Sequence, residues 1–372
     1  MTTEMRILFV TTNKHLPELC GGMEVNTHEL SLALCERGVS VGVLCGLAGV
    51  GLTGISARLR SKILCNPCPR DSGLGYPTWR SYDIIPHVGS VVAAFKPDIL
   101  VVQGGADFVP LVTTCLGLGR AVVCYLHTQD RLLLPQDITG HRKIFFIANS
   151  NFTRSMHPEK QFLGVVPPLV AAEDYTVASS RKCAVFINPV PYKGLDIVVG
   201  LAEARADVPF LFVVNRRRFN RERPEQRRWN RLRNIRAVGP FQDMRRVYRH
   251  AKLVLAPSQW LETWGRIATE AHFSGIPVLA SDRGGLPEAV GPGGICLPAK
   301  APFPTWLEAF TEIWDNPTRY KELCDASRKY AGRREISRDT IVGLFLALLN
   351  ACCAITVGQA AGWSGSHQPL IL

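Results

Sequence analysis

Residues Glu262 to Glu288 read ETWGRIATEAHFSGIPVLASDRGGLPE. Two glutamates, Glu262 and Glu270, stand eight positions apart. Between them Trp264, Gly265 and Arg266 open a predicted helix. A short apolar strand, IPVLA, follows, and a Gly-Gly turn closes on Pro287 and Glu288. A glycine at a helix N-terminus lets a ligand approach unpaired N–H groups, which favour phosphate. Glu270, further along the same helix, is placed to accept hydrogen bonds from ribose hydroxyls. The stretch therefore reads as a nucleotide-diphosphate site with an acidic residue near the reacting sugar. A solvated helix with two surface glutamates is the plainer reading of the spacing alone. The extension of the pattern through GIPV and GGLPE argues for the site.

Outward from this stretch, apolar strands alternate with helical patterns. MRILFV, VSVGVLC, DILVVQG, AVVCYLH and IFFIANS read as buried strands of a first domain. CAVFINP, FLFVV, IRAVG, KLVLAP, GIPVLAS and GGICLP repeat the rhythm in the second half. MEVNTHELSLALCERG has apolar residues at helical spacing and ends at Gly38, a C-cap signal. Strand–helix alternation predicts parallel, doubly wound sheets. The break falls in GVVPPLVAAEDYTVASSRK, which has a Pro pair and no clear period. The expected division is a first Rossmann-like domain over 1–165, a linker over 166–182 and a second such domain over 183–335. A C-terminal helix over 336–356 and a loose tail over 357–372 complete it. IVGLFLALLNACCAITV, residues 341–357, is short for a membrane span and is interrupted by Asn350, so a buried helix is expected.

A chain of 372 residues is long enough for two domains, and 47% hydrophobic with 20% charged residues fits a globular protein. No N-terminal signal peptide is read in MTTEMRILFVTT. The net charge of +12 is concentrated in NRRRFNRERPEQRRWNRLRNIR. No nucleic-acid motif accompanies that run, so no nucleic acid is expected. The run reads either as a solvated basic helix or as a contact with an anionic membrane surface or an acidic substrate. Most of the twelve cysteines sit in apolar runs, where thiols act as small hydrophobes. CNPC at Cys65–Cys68 lacks the second ligand pair that a zinc site needs. A cytoplasmic location, peripheral at a membrane surface in one variant of the reading, is expected.

The pattern E-x7-E followed by GIPV and GGLPE resembles the signature of retaining glycosyltransferases of family 4, which have the GT-B fold. The resemblance covers roughly residues 5–335. It implies two Rossmann-like doubly wound domains facing a central cleft, the first on the acceptor side and the second holding the nucleotide sugar. In PELCGGMEVNTHEL, Gly21 and Gly22 match the loop that faces the donor phosphates, although GxGxxG is absent. In FINPVPYKG the family pattern G-R-x4-K-G keeps Lys193 and Gly194 but has Asn188 where Arg is usual. Arg216, or its neighbours Arg217 and Arg218, is the expected substitute charge. His127 in LHTQD matches the acceptor-side histidine, and IANSNFTRS matches a turn before the last helix of the first domain. Gly239, Phe241 and Ser258 in VGPFQDMRRVYRHAKLVLAPS match positions flanking the nucleobase.

What the resemblance implies is sugar transfer from a nucleotide-diphosphate donor with retention at the anomeric carbon. Glu262, His127 and Lys193 would be catalytic. Gly21, Gly22, Asn188, Lys193, Arg216, Gly239, Phe241, Ser258, Glu262, Trp264, Gly265, Arg266 and Glu270 would line the donor. No DxD motif stands at a strand end, which fits a metal-independent reaction with no cofactor beyond the nucleotide sugar. A nucleotide-sugar epimerase or phosphorylase, and a non-catalytic GT-B protein that binds sugar nucleotides, are the other readings. The acceptor is unidentified.

Overall fold

The structure, a computed structural model, describes residues 5–63, 65–129, 134–214, 224–239, 241 and 243–360. Two compact units divide the chain, one from residues 1–169 with 338–372 and one from residues 170–337.

The first unit holds an eight-stranded sheet. Its strands are β1 (Arg6–Lys14), β2 (Ser40–Gly46), β3 (Arg70–Asp71), β4 (Thr78–Ser81), β5 (Ile99–Val102), β6 (Ala121–Leu126), β7 (Ile144–Ala148) and β8 (Phe162–Val165). They lie in the order β3-β4-β2-β1-β5-β6-β7-β8. All neighbours pair in parallel except β3, which runs antiparallel to β4. The five apolar runs read from the sequence form β1, β2, β5, β6 and β7. β3, β4 and β8 were not among them.

β1 explains the near-continuous apolar run of a parallel strand. Leu8 and Val10 face one core, with Val91, Phe95 and Leu111. Ile7 and Phe9 point to the other face, where the Phe9 ring stacks on Phe345 at 6.1 Å. Phe345 belongs to the helix Arg338–Ala360, whose buried residues Ile341, Val342, Phe345, Leu348, Leu349 and Cys352 recur at helical spacing. That face lies on β6 and on the helix Gly22–Glu36. Among the described residues this is the one helix long and apolar enough to cross a membrane. Arg37–Asp339 and Glu36–Arg338 ion pairs tie its start to the end of the helix Gly22–Glu36.

The second unit holds β9 (Cys183–Ile187), β10 (Phe210–Val213), β11 (Ile235–Val238), β12 (Ala251–Ala256), β13 (Val278–Ser281) and β14 (Gly294–Leu297). All six were read from the sequence. They pair in parallel in the order β11-β10-β9-β12-β13-β14. The order reverses between β9 and β12, and α/β sheets bind ligands in the crevice beyond the carboxyl ends of such strands. One core lies between the sheet and the helices Leu195–Ala204 and Phe303–Asp315, with Phe210 stacked on Phe310 at 5.7 Å and Trp306 fully buried. In the arginine-rich run, residues 215–223 lie outside the described residues. The helix Pro224–Trp229 follows, with Arg228 ion-paired to Asp196 and Glu203 and Trp229 buried.

Candidate functional site

The chain leaves β9 at Asn188 and reaches Lys193 through a single 3-10 turn. It leaves β12 at Pro257 and reaches Glu262 in six residues. Because β9 and β12 are neighbours, two residues 69 positions apart meet. The Lys193 ammonium pairs with Glu262 Oε1. Ser258 Oγ donates to the same oxygen at 3.0 Å. Ser281, at the end of β13, donates to the Ser258 carbonyl at 2.6 Å. The two charged side chains are 28% and 19% exposed, so the pair is wet enough to open to a ligand and dry enough to be directional.

Two glycines allow this approach. Gly194 has φ +84°, and a Cβ there would lie 2.0 Å from the Pro257 carbonyl oxygen. Gly284 has φ +66°, and a Cβ there would lie 2.1 Å from the Glu262 carbonyl oxygen. The Gly-Gly turn thus sits on the Glu262 backbone, with a parallel bridge from Glu262 to Gly284 and a 2.6 Å bond from Gly285 N–H to Glu262 O.

Gly265 is the N-cap of the helix Arg266–Phe273. Trp264 is buried, and its indole N–H donates to Thr269 Oγ at 3.1 Å. Glu270 is also buried. Tyr248 O–H donates to its Oε2 at 2.7 Å, and Arg266 Nε lies 3.5 Å from its Oε1. Arg266 donates in turn to Tyr175 at 3.1 Å. Burial raises the Glu270 pKa, against the pull of Arg266 and Tyr248. Sequence reading named Glu270 and Arg266 but not Tyr248 or Tyr175, which are 22 and 91 positions away from their partners.

Asn188 adopts the left-handed conformation, with φ +58°. Asn tolerates that region better than most side chains. Its N–H donates to Val213 O at 2.9 Å, and among the described residues its buried Oδ1 has no hydrogen-bond partner. Arg216, Arg217 and Arg218 lie outside the described residues. Arg283, on the turn that bridges Glu262, has a buried Nε with no acceptor among the described residues. Gly239 follows β11. Phe241 lines a groove of 710 Å³ with Leu211, Arg236, Val238, Arg246 and Arg249.

In the first unit the order reverses between β1 and β5. Gly21 caps the helix Gly22–Glu36. The Glu24 carboxyl reaches back to the Gly21 N–H and to the Asn13 side chain. Burial pushes its pKa up to about 7 from 4.5. His127, just beyond β6, lies edge-on to Tyr125 with ring centroids 4.1 Å apart. Gln103 Nε2 stands 3.4 Å from His127 Nε2, and Thr27 Oγ donates to Gln103 Oε1 at 2.8 Å. A polar chain therefore runs from the helix behind the GG loop to His127. Gln103 and Thr27 escaped the sequence reading because each looks like an ordinary polar residue beside an apolar run.

Glu24 carries a pH prediction. Its carboxyl holds a proton longer in the folded chain than in the unfolded one. Between pH 4.5 and about 7 the native state binds more protons, so stability falls as pH rises through that window. Glu24→Gln keeps an acceptor and removes the charge. Relative to wild type it should gain about 3 kcal/mol between pH 5 and pH 8. Urea unfolding at both pH values checks this, and parallel pH profiles would count against it.

Residues 201–316 match the family model described as glycosyl transferases group 1. The matched stretch lies within the second unit. A D-inositol 3-phosphate glycosyltransferase of Corynebacterium kroppenstedtii is 34% identical over 99 residues, 26% of this chain and 22% of that one. Another with the same name, from Nocardia farcinica, is 50% identical over 58 residues, 16% of this chain and 13% of that one. The chain thus aligns to less than a quarter of either relative's length. Among solved structures, Anabaena HepE in complex with UDP and glucose superposes with a TM-score of 0.72 at 17% identity, covering 94% of this chain and all of that one. Sucrose-phosphate synthase from Thermosynechococcus elongatus does so at 0.73 and 16%, with the same coverage. This likeness shows the fold, which is GT-B.

Proposed function

We propose that the protein is a glycosyltransferase that moves a sugar from a nucleotide-diphosphate donor with retention at the anomeric carbon. The meeting of Lys193, Ser258 and Glu262 at the β9–β12 switch point carries this reading. The departing diphosphate would gain its charge next to Lys193 and to the first N–H groups of the helix Arg266–Phe273. Preorganised donors of this kind are worth about 3 kcal/mol each. Arg283 would supply the positive charge that Asn188 lacks. With these groups facing the diphosphate, the leaving-group charge is met by the chain itself, which supports a metal-independent reaction.

Glu262, held by Lys193 and Ser258, would contact the transferred sugar. Glu270 would accept from the ribose hydroxyls. A carboxylate has about four lone-pair positions, so it can serve Tyr248 and Arg266 together with a ligand. His127, set by Gln103, would orient the acceptor. The solved HepE complex contains UDP, which supports a uridine nucleotide as the first donor to try.

The test is thermal unfolding with UDP, GDP, ADP and their common sugars, on wild type and on Glu270→Gln. A ligand that binds only the folded state raises the melting temperature by mass action. One nucleotide should raise it by several degrees, at about 2–4 °C per kcal/mol, and the variant should lose that rise relative to its own baseline. No rise with any nucleotide would sink the proposal.

A further inference from the structure

Helix Gly51–Ile63, GLTGISARLRSKI, is built inside out. Its buried residues are small, Gly54 and Ala57. Its large apolar residues face water: Leu52 is 91% exposed, Ile63 72%, Leu59 50% and Ile55 48%, with Val50 just before the helix at 51%. Nine large apolar side chains are exposed among the described residues, and five of them lie in this one segment. Scattered single exposures are normal, whereas a concentration marks an interaction site.

The stripe has a geometry. At about 100° per residue, Leu52, Ile55, Leu59 and Ile63 fall within an arc of roughly 80°, opposite the side that carries Gly54 and Ala57. Arg60 falls on one flank of that arc, and Arg58 and Lys62 fall on the other. Residues 50–70 contain four Lys or Arg and no Asp or Glu. A groove of 640 Å³ beside the helix is lined by Leu52, Ala57, Arg60 and Arg70 among others. Arg60 is held there by a 3.0 Å bond from its guanidinium to the Arg70 carbonyl.

We propose that this helix docks the protein on an anionic phospholipid surface. An apolar stripe between cationic flanks suits a helix lying in the plane of the interface, with the stripe among the acyl chains and the cations at the headgroups. The same charges oppose pairing of two copies through the stripe, because like charges would be brought face to face. The helix is a separate feature from the arginine-rich run, and the inference is independent of the reaction the protein performs.

The experiment is co-sedimentation of the full chain with vesicles of phosphatidylcholine mixed with phosphatidylglycerol, and with vesicles of phosphatidylcholine alone. Binding should require the anionic lipid and weaken with salt. Leu52→Glu with Leu59→Glu should lower the partition coefficient about tenfold or more. Arg58→Gln with Lys62→Gln should lower it too and flatten its salt dependence. All four side chains are exposed, so circular dichroism should match wild type. Three results overturn the proposal. Anionic vesicles fail to bind the protein, the double glutamate variant binds as well as wild type, or light scattering finds a wild-type dimer that this variant dissociates.

Discussion

Lys193→Ala is expected to lower kcat by about 10²–10³-fold. The reason is positional. Lys193 is fixed at the switch point by its pairing with Glu262 and by Gly194, which rests on the end of β12. In the proposed reaction a cation in that place would stabilise charge that appears only as the diphosphate departs, and such interactions act on kcat rather than on ground-state binding. Stability should change little, because a part-exposed ion pair is worth about 1 kcal/mol or less. Slow hydrolysis of the donor, measured without acceptor, gives the rate before any acceptor is known. A variant with wild-type kcat and a raised KM would remove the leaving-group role and leave only a binding role.

Arg80→Met is expected to cost the first unit about 3–5 kcal/mol, the usual effect of leaving buried charge without its partner. Arg80 is fully buried in β4. It donates to Asp71 at 2.8 Å and to the Leu16 carbonyl at 2.7 Å, and lies 4.0 Å from the buried Glu18 carboxylate. Glu18 in turn accepts from the N–H groups of Ala48 and Val50. Methionine fills much of the volume but leaves both carboxylates without their cation. Urea unfolding followed by tryptophan fluorescence is suitable, since Trp79 neighbours Arg80 in the same strand. A loss below about 1 kcal/mol would mean that water reaches the cluster and that the burial is incomplete.

The same Arg80 explains what was hard to read. The central strands of both units announce themselves as apolar runs, because central parallel strands are buried on both faces, whereas the edge strand β11 exposes Arg236 and Ala237. TWRS in β4 does not, since its buried charge is satisfied by residues distant in sequence. The stretch CNPCPRDSGLGYPTW therefore carries no strand signal in its sequence, although β3 and the start of β4 lie within it. Helix Gly51–Ile63 is also absent from the elements read from the sequence. Its apolar stripe has helical spacing, but the stripe faces outward and only the small Gly54 and Ala57 face inward. At the site, the Glu262–Glu288 stretch identified residue types and a turn. It did not join Glu262 to Lys193, which requires that β9 and β12 be neighbours. Nor did it place Tyr248 on Glu270, since a tyrosine in MRRVYRHA reads as ordinary core.

The first unit is made from both ends of the chain, with the second unit inserted between them. During synthesis the ribosome delivers β1 early and Phe345 hundreds of residues later. Until then the face of β1 that carries Phe9, and the apolar surface of β6, lack this helix. The inserted unit is complete in sequence by residue 337, before the last helix of its host has been made. The nascent host sheet is therefore the exposed, aggregation-prone species, and a chaperone that shields apolar strands would act on it before the last helix emerges.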